Sequence, residues 1–405
     1  ETYNFTIDEN TSYDEELSID PEMLGRIFEN LLAEINPETG ESARKSTGSY
    51  YTPRIIVNYM VDESLLLYLR EKTEIKEEKL RAIISYDLED DLENPVTNEE
   101  KEKIIDALEK VKILDPACGS GAFPMGALQK IVFILQQTDP DGQLWFKKQI
   151  KNTAPELRRI IEREFEHKNF DWLRKIGIIR ENIYGVDIQP IATEISRLRC
   201  FLTLIVDERI QDESENRGIE PLPNLDFKFV TANSLIRLPK IDQPQQSLLD
   251  DYKSIGELKA IRDQYFTASG IEREKLKAEF SEKQNELINE LIANHDFAGY
   301  EKAELTRKLT SWRPFKHTST DWFDPEWMFG VKDGFDIVMG NPPYVRISGI
   351  SEEEDLLIRK SYETVFGHYD LYIPFFERGI KLLNSKGILA YITPNKYLIK
   401  RYGNK

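Results

Sequence analysis

With 405 residues, 40% of them apolar, the chain can bury a full core as one large domain or two. No run of about 18 apolar residues and no charged-then-apolar leader is visible, and Cys118 and Cys200 are too few for a disulfide framework or a four-ligand zinc site; a cytoplasmic protein without membrane or metal is expected. The net charge of −18 counts against a nucleic-acid binder, yet residues 1–110 hold 28 acidic and 12 basic side chains, so the rest is close to neutral.

Residues 1–45 read as an acidic helical lead-in, in which Pro21 suits a first helical turn and Leu24, Ile27, Phe28, Leu31 and Leu32 recur at helical spacing. Residues 46–405 read as the catalytic core. After Gly48-Ser49-Tyr50-Tyr51-Thr52-Pro53, the apolar residues between 55 and 69 predict a second helix, and residues 71–100 read as a charged loop. From Val111 onward short apolar runs alternate with helices, the pattern of a mostly parallel sheet built from βαβ units. Strands are expected near 111–114, 183–186, 227–230, 335–339 and 387–392, and helices near 121–136, 190–206 and 371–383. Two intervals exceed a simple crossover, about 137–180 and 240–325, and are expected to be largely helical insertions. In the second, Leu276, Phe280, Leu287 and Leu291 share a helical face and predict a helical hairpin laid on the core. Residues 145–181 hold ten Lys or Arg against six Asp or Glu, an excess that either faces phosphates or forms an ordinary solvated helix face. The last residues, Arg401 to Lys405, follow closely on a predicted core strand, as in a fragment.

The run Val111-Lys112-Ile113-Leu114-Asp115-Pro116-Ala117-Cys118-Gly119-Ser120-Gly121-Ala122-Phe123 is a buried strand entering a glycine turn and a helix. Gly119 and Gly121 let the backbone turn tightly and approach a ligand, and the helix start offers unpaired N–H groups. Asp115 at the strand end can fix an ammonium group. Asp187 ends the second strand, where an acid holds ribose hydroxyls, and it suits a helix N-cap equally well. Asn233, in Thr231-Ala232-Asn233-Ser234-Leu235, either reads an adenine edge or makes an Asx turn.

The fourth strand runs into Gly340-Asn341-Pro342-Pro343-Tyr344. Two prolines stiffen this turn, and Pro342 forces Asn341 into the extended region. The Asn341 side-chain oxygen and the Pro342 carbonyl can accept the two hydrogens of a conjugated amine such as adenine N6 and stabilise the positive charge that develops on its nitrogen. Tyr344 can stack on the base. A base within a duplex must flip out to reach such a turn. Asn-Pro-Pro is also a good β-turn after any strand, and it is the order of motifs along the chain that favours catalysis.

These residues resemble the amino-group DNA methyltransferases of the gamma order, over roughly residues 20–403, and in detail the Eco57I-type branch found in type IIG restriction–modification and phage-defence enzymes. The resemblance implies a Rossmann-like class I α/β fold and S-adenosyl-L-methionine as cofactor. It implies methionine-side contacts at Tyr51, Thr52, Pro53, Asp115, Ala117 and Gly119, ribose contact at Asp187, and adenine contacts at Ile188, Asn233 and Ser234. Pro116, Gly121, Phe123 and Leu235 complete the cofactor set from the same motifs. The segment holding Tyr372, Pro374 and Phe375 resembles the family's fifth motif, beside the methionine part. Asn341, Pro342, Pro343 and Tyr344 would take the target amine. Many relatives carry aspartate where this chain has Asn233. The resemblance further implies double-stranded DNA as partner, a C-terminal target-recognition domain missing from these residues, and a possible nuclease domain or subunit. Rival readings keep the turn but change its use: methylation of a release-factor glutamine or of guanine N2 in ribosomal RNA, or a non-catalytic subunit that senses the cofactor.

Overall fold

The computed structural model describes residues 52–85, 95–151, 153, 155–167, 169–207, 222–238, 253–294, 299–316 and 318–395. The lead-in helix expected at 21–32, Tyr51 and the residues after 395 lie outside them. Five strands, β1 (Ile113–Asp115), β2 (Ile183–Asp187), β3 (Phe229–Thr231), β4 (Phe335–Gly340) and β5 (Leu383–Tyr391), form a sheet in the order β3-β2-β1-β4-β5. All four pairings are parallel, giving the Rossmann-like α/β architecture that the alternating pattern predicts.

Successive residues along each strand point to opposite faces, and the core divides accordingly. Ile113, Ile183, Phe229 and Ile337 belong to one buried cluster, while their neighbours Leu114, Tyr184, Val230 and Val338 belong to another. The first face is covered by α1 (Arg54–Thr73), α2 (Glu77–Ile84), α3 (Asn98–Lys110) and α4 (Ala122–Thr138). α5 (Gln143–Gln149), α6 (Pro155–Glu166), α7 (Phe170–Glu181) and α8 (Pro190–Ile205) add to the same cluster. The second face carries α9 (Lys253–Tyr265), α10 (Gly270–Asn294), α11 (Gly299–Ser311), α12 (Pro325–Phe329), α13 (Glu352–Ser361) and α14 (Tyr372–Leu382). Leu276, Phe280, Leu287 and Leu291 are buried on α10, beneath which Phe227 packs with Phe280 and Tyr265 at centroid distances of 4.8 and 5.6 Å.

Within 71–100, the described residues 71–85 and 95–100 depart from the expected loop, and 86–94 lie outside the described residues. Leu80, Ile83 and Ile84 make one buried face of α2, and Thr97 opens α3 through a reciprocal capping box with Glu100. β3 also starts two residues later than expected, because Phe227 turns into the aromatic cluster instead of the sheet. The expected strand at 387–392 corresponds to the second half of β5, beyond a register irregularity opposite Phe335 and Ile337. The basic excess at 145–181 is largely engaged within the fold. Arg174 and Lys175 are buried, Lys175 pairs with Asp207 at 2.6 Å, and Arg180 pairs with Glu181 at 2.8 Å. Among the described residues no helix is long and apolar enough to cross a membrane, and no cluster of potential metal ligands occurs.

Candidate functional site

β1 and β4 are neighbours in the sheet, but the chain leaves β1 toward β2 on one side and β4 toward β5 on the other. Such a reversal opens a crevice at the carboxyl ends of the two strands. A cavity of about 350 Å³ lies there, walled by the turns after β1, β2, β3 and β4 together with Thr52, Glu354, Leu371 and Phe375.

Asp115, the last residue of β1, is buried, and its Oδ1 accepts from the Ala117 N–H at 3.0 Å. Burial pushes its carboxyl up to about 8; that hydrogen bond works against the shift, and the Asp187 carboxylate adds to it. A Cβ on Gly340 would lie 2.6 Å from Asp115 Oδ1, so glycine at the end of β4 is what lets the two strand ends close on each other. Gly119 and Gly121 have φ of 53° and 84°, in the left-handed region. A side chain at Gly121 would also strike Ser196 Oγ on α8 at 2.8 Å.

Asp187 ties two turns together. Its Oδ2 accepts from the Gly119 N–H and its Oδ1 from the Gln189 N–H, both at 2.9 Å, ahead of Pro190 in the first turn of α8. Burial raises its carboxyl and these backbone bonds oppose the rise. Asn233 makes the Asx turn, its Oδ1 accepting from the Leu235 N–H at 3.1 Å, and its Nδ2 donates to Glu354 Oε1 at 2.8 Å. Ser234 Oγ donates to the Pro116 carbonyl at 2.5 Å, which fastens the β3 turn to the β1 turn.

In the proline turn, Asn341 Nδ2 donates to Thr52 Oγ1 at 3.2 Å across 289 positions of sequence. The Tyr-Thr-Pro element and the Asn-Pro-Pro-Tyr turn therefore meet directly. The Tyr344 hydroxyl donates to the Ile392 carbonyl at 3.0 Å, and its ring stands edge-on to Tyr372 at 6.1 Å.

Of the residues singled out from sequence, Thr52, Asp115, Pro116, Ala117, Gly119, Phe123, Asp187, Ile188, Asn233, Ser234, Leu235, Asn341 and Pro343 line this one cavity. Others lie off its wall. Pro53 is exposed and its carbonyl starts α1, Gly121 packs against α8, Pro342 is buried, and Tyr344 and Tyr372 pack on each other. At the start of α14 the wall is made by the N-cap Leu371 and by Phe375, four positions on, and not by Tyr372. The sequence reading also passed over Cys118, Gln189, Val345, Ile350 and Glu354. For Glu354 the only signal was the Ser-x-x-Glu spacing at the start of α13. Asp115, Asp187 and Glu354 give the wall three carboxyl groups, and no lysine or arginine lines it among the described residues.

Residues 181–405, which include β2 to β5 and the proline turn, match the family described as Eco57I restriction-modification methylase. Over 98% of its length the chain is similar, at 28% identity, to RM.MjaORFECS2P of Methanocaldococcus jannaschii, assigned as a type II restriction enzyme and methyltransferase. It is 25% identical over 73% of its length to the type II restriction enzyme and methyltransferase RM.Eco57I of Escherichia coli, and 20% identical over 92% to the adenine-specific methyltransferase PglX of Streptomyces coelicolor. The chain spans 35% of the first of these proteins and 21% of each of the other two. A match extending over more than half of the residues, on a parallel sheet whose strand ends gather these motifs into one crevice, places the chain in the Eco57I family of restriction-modification methylases.

Proposed function

We propose that the protein transfers a methyl group from S-adenosyl-L-methionine to the N6 amine of an adenine flipped out of double-stranded DNA, as the modifying activity of a restriction–modification or phage-defence system. The observation that carries this reading is the hydrogen bond from Asn341 to Thr52, which fixes the amide at the edge of an acidic crevice.

The residues present fit the cofactor. Three carboxyl groups with no lysine or arginine beside them suit a ligand bearing an ammonium and a sulfonium, and they would repel the pyrophosphate of a dinucleotide. The raised carboxyl of Asp115 is that of a buried acid awaiting a cationic partner. When bound, S-adenosyl-L-methionine supplies an electrophilic methyl group. Asp115 holds the ammonium, Asp187 accepts from ribose hydroxyls through lone pairs beyond its two backbone bonds, and Ile188 and Leu235 flank the adenine.

On the substrate side, donation from Nδ2 to Thr52 sets the amide so that Oδ1 is the arm offered to the target amine. Oδ1 and the Pro342 carbonyl would accept hydrogen bonds from its two hydrogens and stabilise the charge that develops on nitrogen, and one proton leaves to water after transfer, so that no strong general base is required. Tyr344, anchored through its hydroxyl and braced by Tyr372, offers a ring face to the flipped base. The greater length of the relatives leaves room for the target-recognition domain and the nuclease that this reading assigns to the whole protein. The reaction is placed in the cytoplasm.

The test uses full-length protein, labelled cofactor and adenine-containing duplex, with release factor and ribosomal RNA as competing substrates. Label is expected as N6-methyladenine. Asn341→Ala should slow transfer by about a hundredfold or more while leaving S-adenosyl-L-homocysteine affinity within about threefold, since that oxygen acts on the target amine. Label in either competing substrate alone, or undiminished transfer by the variant, overturns the proposal.

A further inference from the structure

Glu354 is the third residue of α13, three positions after the Ser351 N-cap, where a glutamate ordinarily returns to the N-cap N–H. Ser351 does accept from the Glu354 N–H, but the Glu354 side chain reaches Asn233 Nδ2 at 2.8 Å and lines the cavity. Glu352 and Glu353 are exposed to solvent, whereas Glu354 is half-buried. A carboxylate has been turned from helix capping and bulk water into the crevice, where burial costs it hydration.

Asn233 Oδ1 already accepts from the Leu235 N–H within the Asx turn, which leaves Nδ2 as the arm of the amide directed at Glu354. Its Nδ2 carries two hydrogens, one of which goes to Glu354. The pair therefore presents one amide donor beside one carboxylate acceptor. The Watson–Crick edge of adenine offers the complement, the N1 acceptor beside the N6 donor. Apolar Ile188, 54% exposed, and Ile350 form wall nearby, as a planar base requires.

We infer that Glu354 is a specificity-determining residue that accepts from the exocyclic amine of the cofactor's adenine, while Asn233 Nδ2 donates to the adjacent ring nitrogen. This rests on the reading of the cavity as an S-adenosyl-L-methionine site. Glu354 thereby provides the negative acceptor that Asn233, being an amide, does not.

The test is calorimetric binding of S-adenosyl-L-homocysteine and S-inosyl-L-homocysteine, which differ at the base edge: hypoxanthine has a carbonyl where adenine has its amine. The unmodified chain should prefer the adenine compound by about tenfold to a hundredfold, the range expected for a hydrogen bond to a charged group. Glu354→Ala should shrink that preference at least about fivefold, and Glu354→Gln, whose amide can donate to the carbonyl, should shrink it further. A residue that only pinned Asn233 to α13 would weaken both ligands alike, so an unchanged preference in both variants overturns the inference while leaving the cofactor reading intact. Failure of the unmodified chain to bind either compound overturns that reading and the inference with it.

Discussion

Asp115 makes ligand binding depend on pH in a direction that can be worked out. Burial disfavours the anion and pushes its carboxyl up to about 8, so without a cationic partner it is mostly protonated below that pH. The sign for folding follows: a raised carboxyl supports the fold fully below the ordinary carboxylate range, and that support is lost as the pH climbs through about 8. For an ammonium-bearing ligand the dependence is reversed, since the ligand requires the anion and must drive off the proton. Below about 8 the ionised fraction rises about tenfold per pH unit, so the affinity for S-adenosyl-L-homocysteine should rise by about tenfold or more between pH 6 and 7.5, about 1.4 kcal/mol, and level off where the ligand's own ammonium starts to lose its proton. Calorimetry in buffers of differing ionisation enthalpy should count close to one proton released per ligand at pH 6.5. Asp115→Asn should bind at least about tenfold more weakly at pH 8.5 and lose most of the slope, with Asp187 supplying the remainder. A flat affinity from pH 6 to 8.5, with no proton released, would refute the assignment of Asp115 as the cation's partner.

Thr52→Val removes the hydroxyl that orients the Asn341 amide, and kcat for methyl transfer should fall about tenfold, the worth of one hydrogen bond, with cofactor affinity nearly unchanged. Parallel losses in kcat and cofactor affinity would show that Thr52 serves the cofactor instead. Asn182 is fully buried, and its Nδ2 donates to the carbonyls of Leu108, Glu109 and Val111 at 2.8, 3.3 and 2.7 Å, locking the end of α3 to the start of β2. Asn182→Ala should lower unfolding stability by about 2 to 3 kcal/mol, read as a reduced urea midpoint. An unchanged midpoint would remove Asn182 from the account of the fold.

The sheet was legible because each strand is a short apolar run closed by a residue of distinctive chemistry: Asp115, Asp187, Asn233 and Asn341 all stand just at or beyond strand ends. Helices α2 and α3 were hidden by their charge. The apolar face of α2 is only Leu80, Ile83 and Ile84 amid glutamates and lysines, although the Thr97 capping box was there to be read. Within the crevice, sequence placed residues by strand order but did not orient their side chains. Asn233 and Asp187 suited two roles each, and the choice of the Asx turn over a free amide depends on Leu235 and Glu354, the latter 121 positions away. Glu354 was obscured because three successive glutamates at a helix start read as dipole complementation. The segment of Tyr372, Pro374 and Phe375 was legible as one motif, but not which ring faces the crevice: the helix turns Tyr372 toward Tyr344 and leaves Phe375 on the wall.

The pairing of the central strand spaces its assembly out in time. The Lys112 N–H, just before β1, donates to Asp336 at 3.0 Å across 224 positions, so one side of β1 closes with nearby chain while the other awaits a distant segment. Loop closure over that distance adds little to the final free energy, but it slows the event. On a ribosome adding 5 to 20 residues per second, about ten to forty seconds separate emergence of the two partners. Nascent chains would thus carry Asp115 and Asp187 well before the Asn341 turn and Glu354 arrive to complete the crevice.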